Sequence, residues 1–134
     1  MRVRDGMSTV VLSIGPTHSL HEAARQMSAR GVGAAVVVDP ESEGVGILTE
    51  RDILESVGAG QDPATEAVAA HLTSSLVFAS PEWTLEEAAG AMLRGRFRHL
   101  VVLENADVVG ILSVRDIVHV WTAERAEATA TVVP

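Results

Sequence analysis

The chain has 134 residues, 47% of them hydrophobic, no cysteine and a formal net charge of −8. That is enough apolar material for one core, whereas the acidic balance argues against general nucleic-acid binding and the missing thiols exclude disulfides and cysteine catalysis. No apolar run reaches the roughly eighteen residues of a membrane span, and Met1–Gly6 lacks the apolar core of a signal peptide, so a cytoplasmic protein is expected.

In chain order, Val10-Val11-Leu12 suits a short strand. Ser19 and Glu22 have capping-box spacing, and behind them Leu20, Ala23, Ala24 and Met27 share one helical face. Gly31 suits the end of that helix. Val36–Val38 is a continuous β-branched run, as in a strand covered on both faces, and a polar turn leads to a second strand at Val45–Leu48. Thr49 opens a second helix, which Gly58 is placed to end. Asp62 as N-cap with Pro63 at the first helical position predicts a short helix through about Ala70, and Thr73-Ser74-Ser75 is a polar link. The pattern then recurs: Leu76-Val77-Phe78 as a strand, Thr84 and Glu87 as a capping pair, Leu85, Ala88, Ala89 and Met92 as a helical face. Leu100–Leu103 and Val108–Leu112 follow as strands, and Ser113 opens the last helix. After Val120-Trp121 the sequence becomes rich in Ala, Glu and Thr, extending that helix before it frays towards Pro134.

The recurrence is a duplication. Gly46-Ile47-Leu48-Thr49-Glu50-Arg51-Asp52-Ile53 returns 64 residues later as Gly110-Ile111-Leu112-Ser113-Val114-Arg115-Asp116-Ile117. Upstream the offset is 65: Met7-Ser8 matches Leu72-Thr73, Ser19–Ala24 matches Thr84–Ala89, and Ala35–Asp39 matches Leu100–Glu104. The one-residue slip falls in the polar turn after Asp39, where an insertion is tolerated. A repeat of this size rarely buries its apolar face alone, so one module of two halves is expected.

Chemistry concentrates in the repeated string. Thr49 with Asp52, and Ser113 with Asp116, place a hydroxyl and a carboxylate at a helix N-terminus, where free N–H groups and the dipole favour an anion. A carboxylate can accept bonds from both vicinal hydroxyls of a ribose. The same spacing is also that of a capping box with Asp in the Glu place, and the two roles can coexist. Arg94-Gly95-Arg96-Phe97-Arg98-His99 is the most basic stretch. All ten basic residues are arginine, which reads as codon bias and weakens any argument from arginine's fork. His18, His21 and Glu22 show no third ligand for a metal, and Asp39–Glu43 lacks the periodicity of a calcium loop. No P-loop, dinucleotide fingerprint, Gly-x-Ser-x-Gly or activated nucleophile is present, which argues against an enzyme.

In order, Val3-Arg4-Asp5-Gly6-Met7-Ser8, the Ser-Leu-x-Glu-Ala-Ala helix start, Ala34–Asp39 and Gly46–Asp52 resemble the cystathionine β-synthase (CBS) motif, and the second copy repeats the order. The resemblance covers roughly residues 4–121, as a CBS pair or Bateman module. It implies an α/β (α+β) fold of tandem βαββα repeats packed sheet to sheet with pseudo-twofold symmetry. Residues 1–134 would form a single module: motif one at 4–60, a linker with a short helix at 61–75, motif two at 76–123 and a tail at 124–134.

The resemblance also implies function. Such modules regulate by binding AMP, ADP, ATP or S-adenosylmethionine in clefts between the motifs, require no cofactor or metal, and often form homodimers that act on an effector protein. By family position Asp52 and Asp116 would hold ribose, with Thr49 and Ser113 on ribose or phosphate. Leu12, Ser13 and Ile14, and Val77, Phe78 and Ala79, would supply the adenine slot. Val32 and Phe97 are candidates for its walls, although core packing serves each of these apolar residues as well. Arg98 and His99 match a pair that reaches phosphates, whereas copy one has Gly33-Ala34 there. Val36 and Val101 replace a common proline, and Phe78 replaces a hydroxyl that Ser13 retains, so the two clefts should differ. The competing reading is a ligand-free dimerisation or interaction module. No nucleic-acid or membrane partner is expected.

Overall fold

The computed structural model describes residues 1–41, 44–74 and 77–132, with side chains up to residue 125. Ser42, Glu43, Ser75, Leu76, Val133 and Pro134, which belong to the acidic turn, the polar link, the start of the predicted strand at 76 and the chain end, lie outside the described residues. The chain forms two compact units, Val11–Leu76 and Met1–Val10 together with Val77–Pro134.

The first unit runs β1 (Ser13–Ile14), α2 (Leu20–Arg30), β2 (Ala34–Val38), β3 (Val45–Thr49) and α3 (Glu50–Gly58), and α1 (Val3–Gly6) precedes it in the chain. The sheet order is β1-β2-β3, with β1 parallel and β3 antiparallel to β2. Ser19 caps α2 by accepting from Glu22 N at 3.1 Å. The box is left half-made because the Glu22 carboxylate turns to Arg25 at 2.6 Å and to Gln26 at 3.1 Å. The Arg25 hydrogen bond, helped by Gln26, holds that carboxyl well down, from 4.5 to about 2. Gly31 ends the helix at φ 64, a left-handed position that glycine takes without a Cβ clash. The predicted apolar face of α2 supplies Leu20, Ala23 and Met27 to a core that also holds Leu12, Ile14, Ala35, Val37, Leu48 and Val68.

The other unit repeats the plan with β4 (Phe78–Ala79), α4 (Leu85–Gly95), β5 (His99–Glu104), β6 (Asp107–Ser113) and α5 (Val114–Val132), the sheet order being β4-β5-β6. Here the capping box closes: Thr84 N donates to Glu87 at 3.3 Å and Glu87 N to Thr84 Oγ1 at 3.1 Å. The strands meet at a two-residue turn in which Asn105 and Ala106 have φ 52 and 69, with a register shift after Val102. Arg96 takes the left-handed C-cap position that Gly31 holds in the first repeat. Leu85, Ala88 and Met92 pack with Leu100, Val102, Leu112 and Ile117.

Each unit is completed by a segment that precedes the other repeat in the chain. Val3 N donates to Trp83 O at 2.8 Å and Arg4 N to Pro81 O at 3.0 Å, whereas Val68 N donates to His18 O at 2.8 Å and Ala69 N to Pro16 O at 2.9 Å. These are the same bonds at the 65-residue offset. Ser8 exchanges two backbone bonds with Ile111 at 2.9 and 3.0 Å, and Thr73 exchanges two with Ile47, both at 2.9 Å. Val3 is fully buried in one core and Val68 in the other. Arg2 and Arg4 add ion pairs to Glu82 beside the N-terminal segment.

Two local expectations are corrected. The first strand of each repeat lies one to three residues later than the apolar run: Val10 is 70% exposed, and the sheet bonds begin where Val36 N meets Leu12 O at 2.8 Å. The helix expected from Pro63 to Ala70 is a single turn on Asp62 followed by a 3-10 turn at Val68–Ala70. Ala67 between them is extended, because the carbonyls of Pro63 and Glu66 accept from His21 N and Leu20 N and so bind the first turn of α2 instead of continuing a helix.

Candidate functional site

The candidate site residues of each repeat fall within one unit. In the first, Thr49 closes β3 and caps α3. Its Oγ1 accepts from Asp52 N at 3.3 Å, while Asp52 Oδ2 accepts from Thr49 N at 2.8 Å and from Thr49 Oγ1 at 3.0 Å. In the second, Ser113 closes β6: Asp116 Oδ2 accepts from Ser113 N at 2.8 Å, and Asp116 N donates to Ser113 Oγ at 3.0 Å. Both strings are therefore capping boxes. All four residues are half-buried.

The boxes orient the carboxylates without exhausting them. In each aspartate Oδ2 carries the cap, and among the described residues Oδ1 has no hydrogen-bond partner. A rigidly held carboxylate oxygen with free lone pairs, at a helix N-terminus, can accept from a hydroxyl donor.

Around the boxes the repeats diverge. The residue before each second strand lies beside the start of the following helix: Glu50 N donates to Gly33 O at 2.9 Å, and Val114 N donates to Arg98 O at 2.9 Å. Arg98 is exposed and, among the described residues, in no ion pair. His99 opens β5, half-buried and opposite Ser113 in the sheet register. In the first repeat the Glu50 carboxylate folds over Gly33, so that a β-carbon there would lie 3.2 Å from Oε1.

The expected adenine-slot residues divide by strand alternation. Ser13 and Phe78 are exposed, and so is Val77, whereas Leu12, Ile14 and Ala79 are buried in the helix-side cores. Val32 and Phe97 pack against those cores, and the Phe97 ring lies over Gly95, where it would overlap a β-carbon. No three His, Cys, Asp or Glu side chains among the described residues converge as for a metal.

The role of the repeated glycines was not legible in the string. Gly46 and Gly110 sit beneath the exchanged segments: a β-carbon on Gly110 would meet Met7 Sδ and Ser8 O, both at 2.8 Å, and one on Gly46 would meet Leu72 Cδ1 at 2.8 Å. A glycine inside each strand was the available signal for a close backbone approach. Glu50 stands where the second repeat has Val114, between otherwise matching residues.

The model of the CBS domain matches residues 3–59 and 68–122. The CBS domain-containing protein YhcV of Bacillus subtilis is 35% identical over 118 residues, covering 86% of this chain and 81% of that protein. CBSCBSPB5 of Arabidopsis thaliana is 38% identical over 104 residues, which are 77% of this chain but 19% of the plant protein. Among solved structures, the CBS domain protein PAE2072 of Pyrobaculum aerophilum, complexed with AMP, is 27% identical with a TM-score of 0.77, covering 87% of this chain and 89% of its own. With the family model matched over both repeats, in the stretches that hold the two capped aspartates, the chain belongs to the CBS domain family, as a tandem pair of the Bateman type.

Proposed function

We propose that this chain is a non-catalytic regulatory module that binds an adenosine ligand, either an adenine nucleotide (AMP, ADP or ATP) or S-adenosylmethionine. The observation that carries the reading is the pair of capped aspartates, each with Oδ1 unpartnered among the described residues and so placed to accept from ribose hydroxyls, in a family whose Pyrobaculum aerophilum member is complexed with AMP. Thr49 and Ser113 set the aspartates and contact ribose or phosphate. The exposed Ser13, Val77 and Phe78 frame the base, and the main chain of Ile14 and Ala79, whose side chains are buried, supplies hydrogen bonds to it. The half-buried Val32 and Phe97 wall it, and Arg98 and His99 meet the phosphates. No metal or cofactor is needed for this role. Occupancy acts on an effector protein by favouring whichever state of the module binds the ligand better.

The test is calorimetric titration with AMP, ADP, ATP and S-adenosylmethionine, for the parent chain and Asp116→Asn, which keeps a side-chain cap. Saturable heat weakened at least about tenfold in Asp116→Asn is expected, since a charge-assisted bond to hydroxyl contributes about 1.5–3 kcal/mol. Silence across the panel from folded protein overturns the reading.

A homodimer is the proposed assembly in either case. Val114, Val118 and Trp121 lie at i, i+4 and i+7 on α5 and are exposed; Leu54 and Val57 form the corresponding exposed pair on α3. Matching apolar stripes at equivalent positions of the two repeats support self-association, and they also favour the second reading, an interaction module that needs no ligand. The proposed setting is the cytoplasm, with no nucleic-acid or membrane partner; no described helix is long and apolar enough to cross a membrane.

A further inference from the structure

The two capped aspartates share a preceding arginine, Arg51 and Arg115, and differ in the remaining charges around them. Beside Ser113 and Asp116 stands Arg98, exposed and in no ion pair among the described residues, and the helix position after Ser113 is the uncharged Val114. Beside Thr49 and Asp52 the arginine position is Gly33, and the position after Thr49 is Glu50. The Glu50 carboxylate does not extend away from the site. It folds back over Gly33, within 3.2 Å of where a β-carbon would stand, and so occupies the surface that lies at the base of the Arg98 side chain in the other repeat. Glu50 N is bonded to Gly33 O at 2.9 Å, which fixes the carboxylate's root beside the α3 N-terminus. Two negative side chains, Glu50 and Asp52, thus offset the partial positive charge of that N-terminus.

We infer that Glu50 sets the ligand class of the first-repeat half-site: it rejects anionic phosphates and takes an uncharged or cationic adenosine derivative, whereas the second-repeat half-site takes the phosphorylated one. This rests on the adenosine reading above. Glu50 is exposed, so its field is screened, and a phosphate a few ångströms away is disfavoured by roughly three- to tenfold.

The experiment compares adenosine with AMP by calorimetry at low and high salt. Asp116→Asn is the background, so that the first-repeat half-site dominates the heat. The expected result is that adenosine binds more tightly than AMP by that factor and that the preference shrinks at high salt. Glu50→Val, which supplies the residue of the second repeat, and the near-isosteric Glu50→Gln should both bring AMP to parity or better. Equal affinities with Glu50 intact, a preference that survives both substitutions, or no adenosine binding in a background whose parent binds AMP would each overturn the inference while leaving the adenosine reading in place. If the parent chain binds neither ligand, the adenosine reading itself falls, and this inference with it.

Discussion

At the level of single residues, the Thr-x-x-Asp and Ser-x-x-Asp strings show why capping and ligand binding need not compete. A capping box uses one carboxylate oxygen and the hydroxyl, and its effect is to hold the second oxygen still. That geometry was legible in the spacing. What lay over the adjoining glycines was not, because their neighbours come from a distant segment. The consequence is a measurable asymmetry between equivalent positions. Gly110→Ala drives a methyl against the Ser8 carbonyl, which is pinned by its bond to Ile111, and it should cost about 1–3 kcal/mol in denaturant unfolding. Gly46→Ala meets first the movable end of Leu72 at 2.8 Å, and the Thr73 carbonyl stands farther off, at 3.3 Å, than the Ser8 carbonyl does at Gly110. It also gains from a less flexible unfolded chain, so its cost should be smaller, within about 1 kcal/mol. Equal losses at the two glycines would count against the backbone contact as the cause.

At the level of elements, the helices that the periodicity marked are present with their buried faces, since Leu20, Ala23 and Met27, and Leu85, Ala88 and Met92, are all buried. Their N-caps are local and therefore readable, a hydroxyl with a carboxylate three residues on, whereas the left-handed C-cap falls on Gly31 in α2 but on Arg96 in α4. The linker helix failed for a complementary reason, because Asp62-Pro63 is a sound start signal whose carbonyls were captured by α2. The exchanged segments yield a prediction at this scale. Val3→Ala and Val68→Ala each delete the two γ-methyls of a fully buried side chain and should each cost about 1.5–3 kcal/mol, the lost transfer energy plus a cavity. Hydrogen exchange should separate them: Val3→Ala loosens α4, β5 and β6, although β1 and α2 follow it directly in sequence, and Val68→Ala loosens α2, β2 and β3. Faster exchange in the elements next in the chain would contradict the exchanged packing.

For the molecule as a whole, an acidic chain carries exposed apolar residues at repeat-equivalent positions on α3 and α5, of which Trp121 is the largest. If α5 joins two copies, Trp121→Glu buries a charge in that interface and should convert the dimer to monomer in sedimentation equilibrium at micromolar concentration, the monomer staying folded because Trp121 lies outside the buried core, and unfolding losing its dependence on protein concentration. A parent chain already monomeric at that concentration would remove the dimer from the account.

The duplication is visible by self-comparison of the sequence, and the four long helices, their N-caps and the two hydroxyl–carboxylate pairs were determined by the sequence alone, because each of these elements depends on residues within a few positions of one another and on the helical period. Only the tertiary structure decided which segment completes which unit. Met7-Ser8 and Leu72-Thr73 are equivalent under the repeat, so either pair could in principle lie on β3 or on β6, and no local propensity distinguishes the choices. The outcome depends on backbone pairing between residues distant in the chain, Ser8 with Ile111 and Thr73 with Ile47, the latter pair 26 positions apart and the former 103. Strand pairing within each repeat then brings Glu50 beside Gly33 and Val114 beside the exposed Arg98, and so gives two nearly identical strings unlike surroundings.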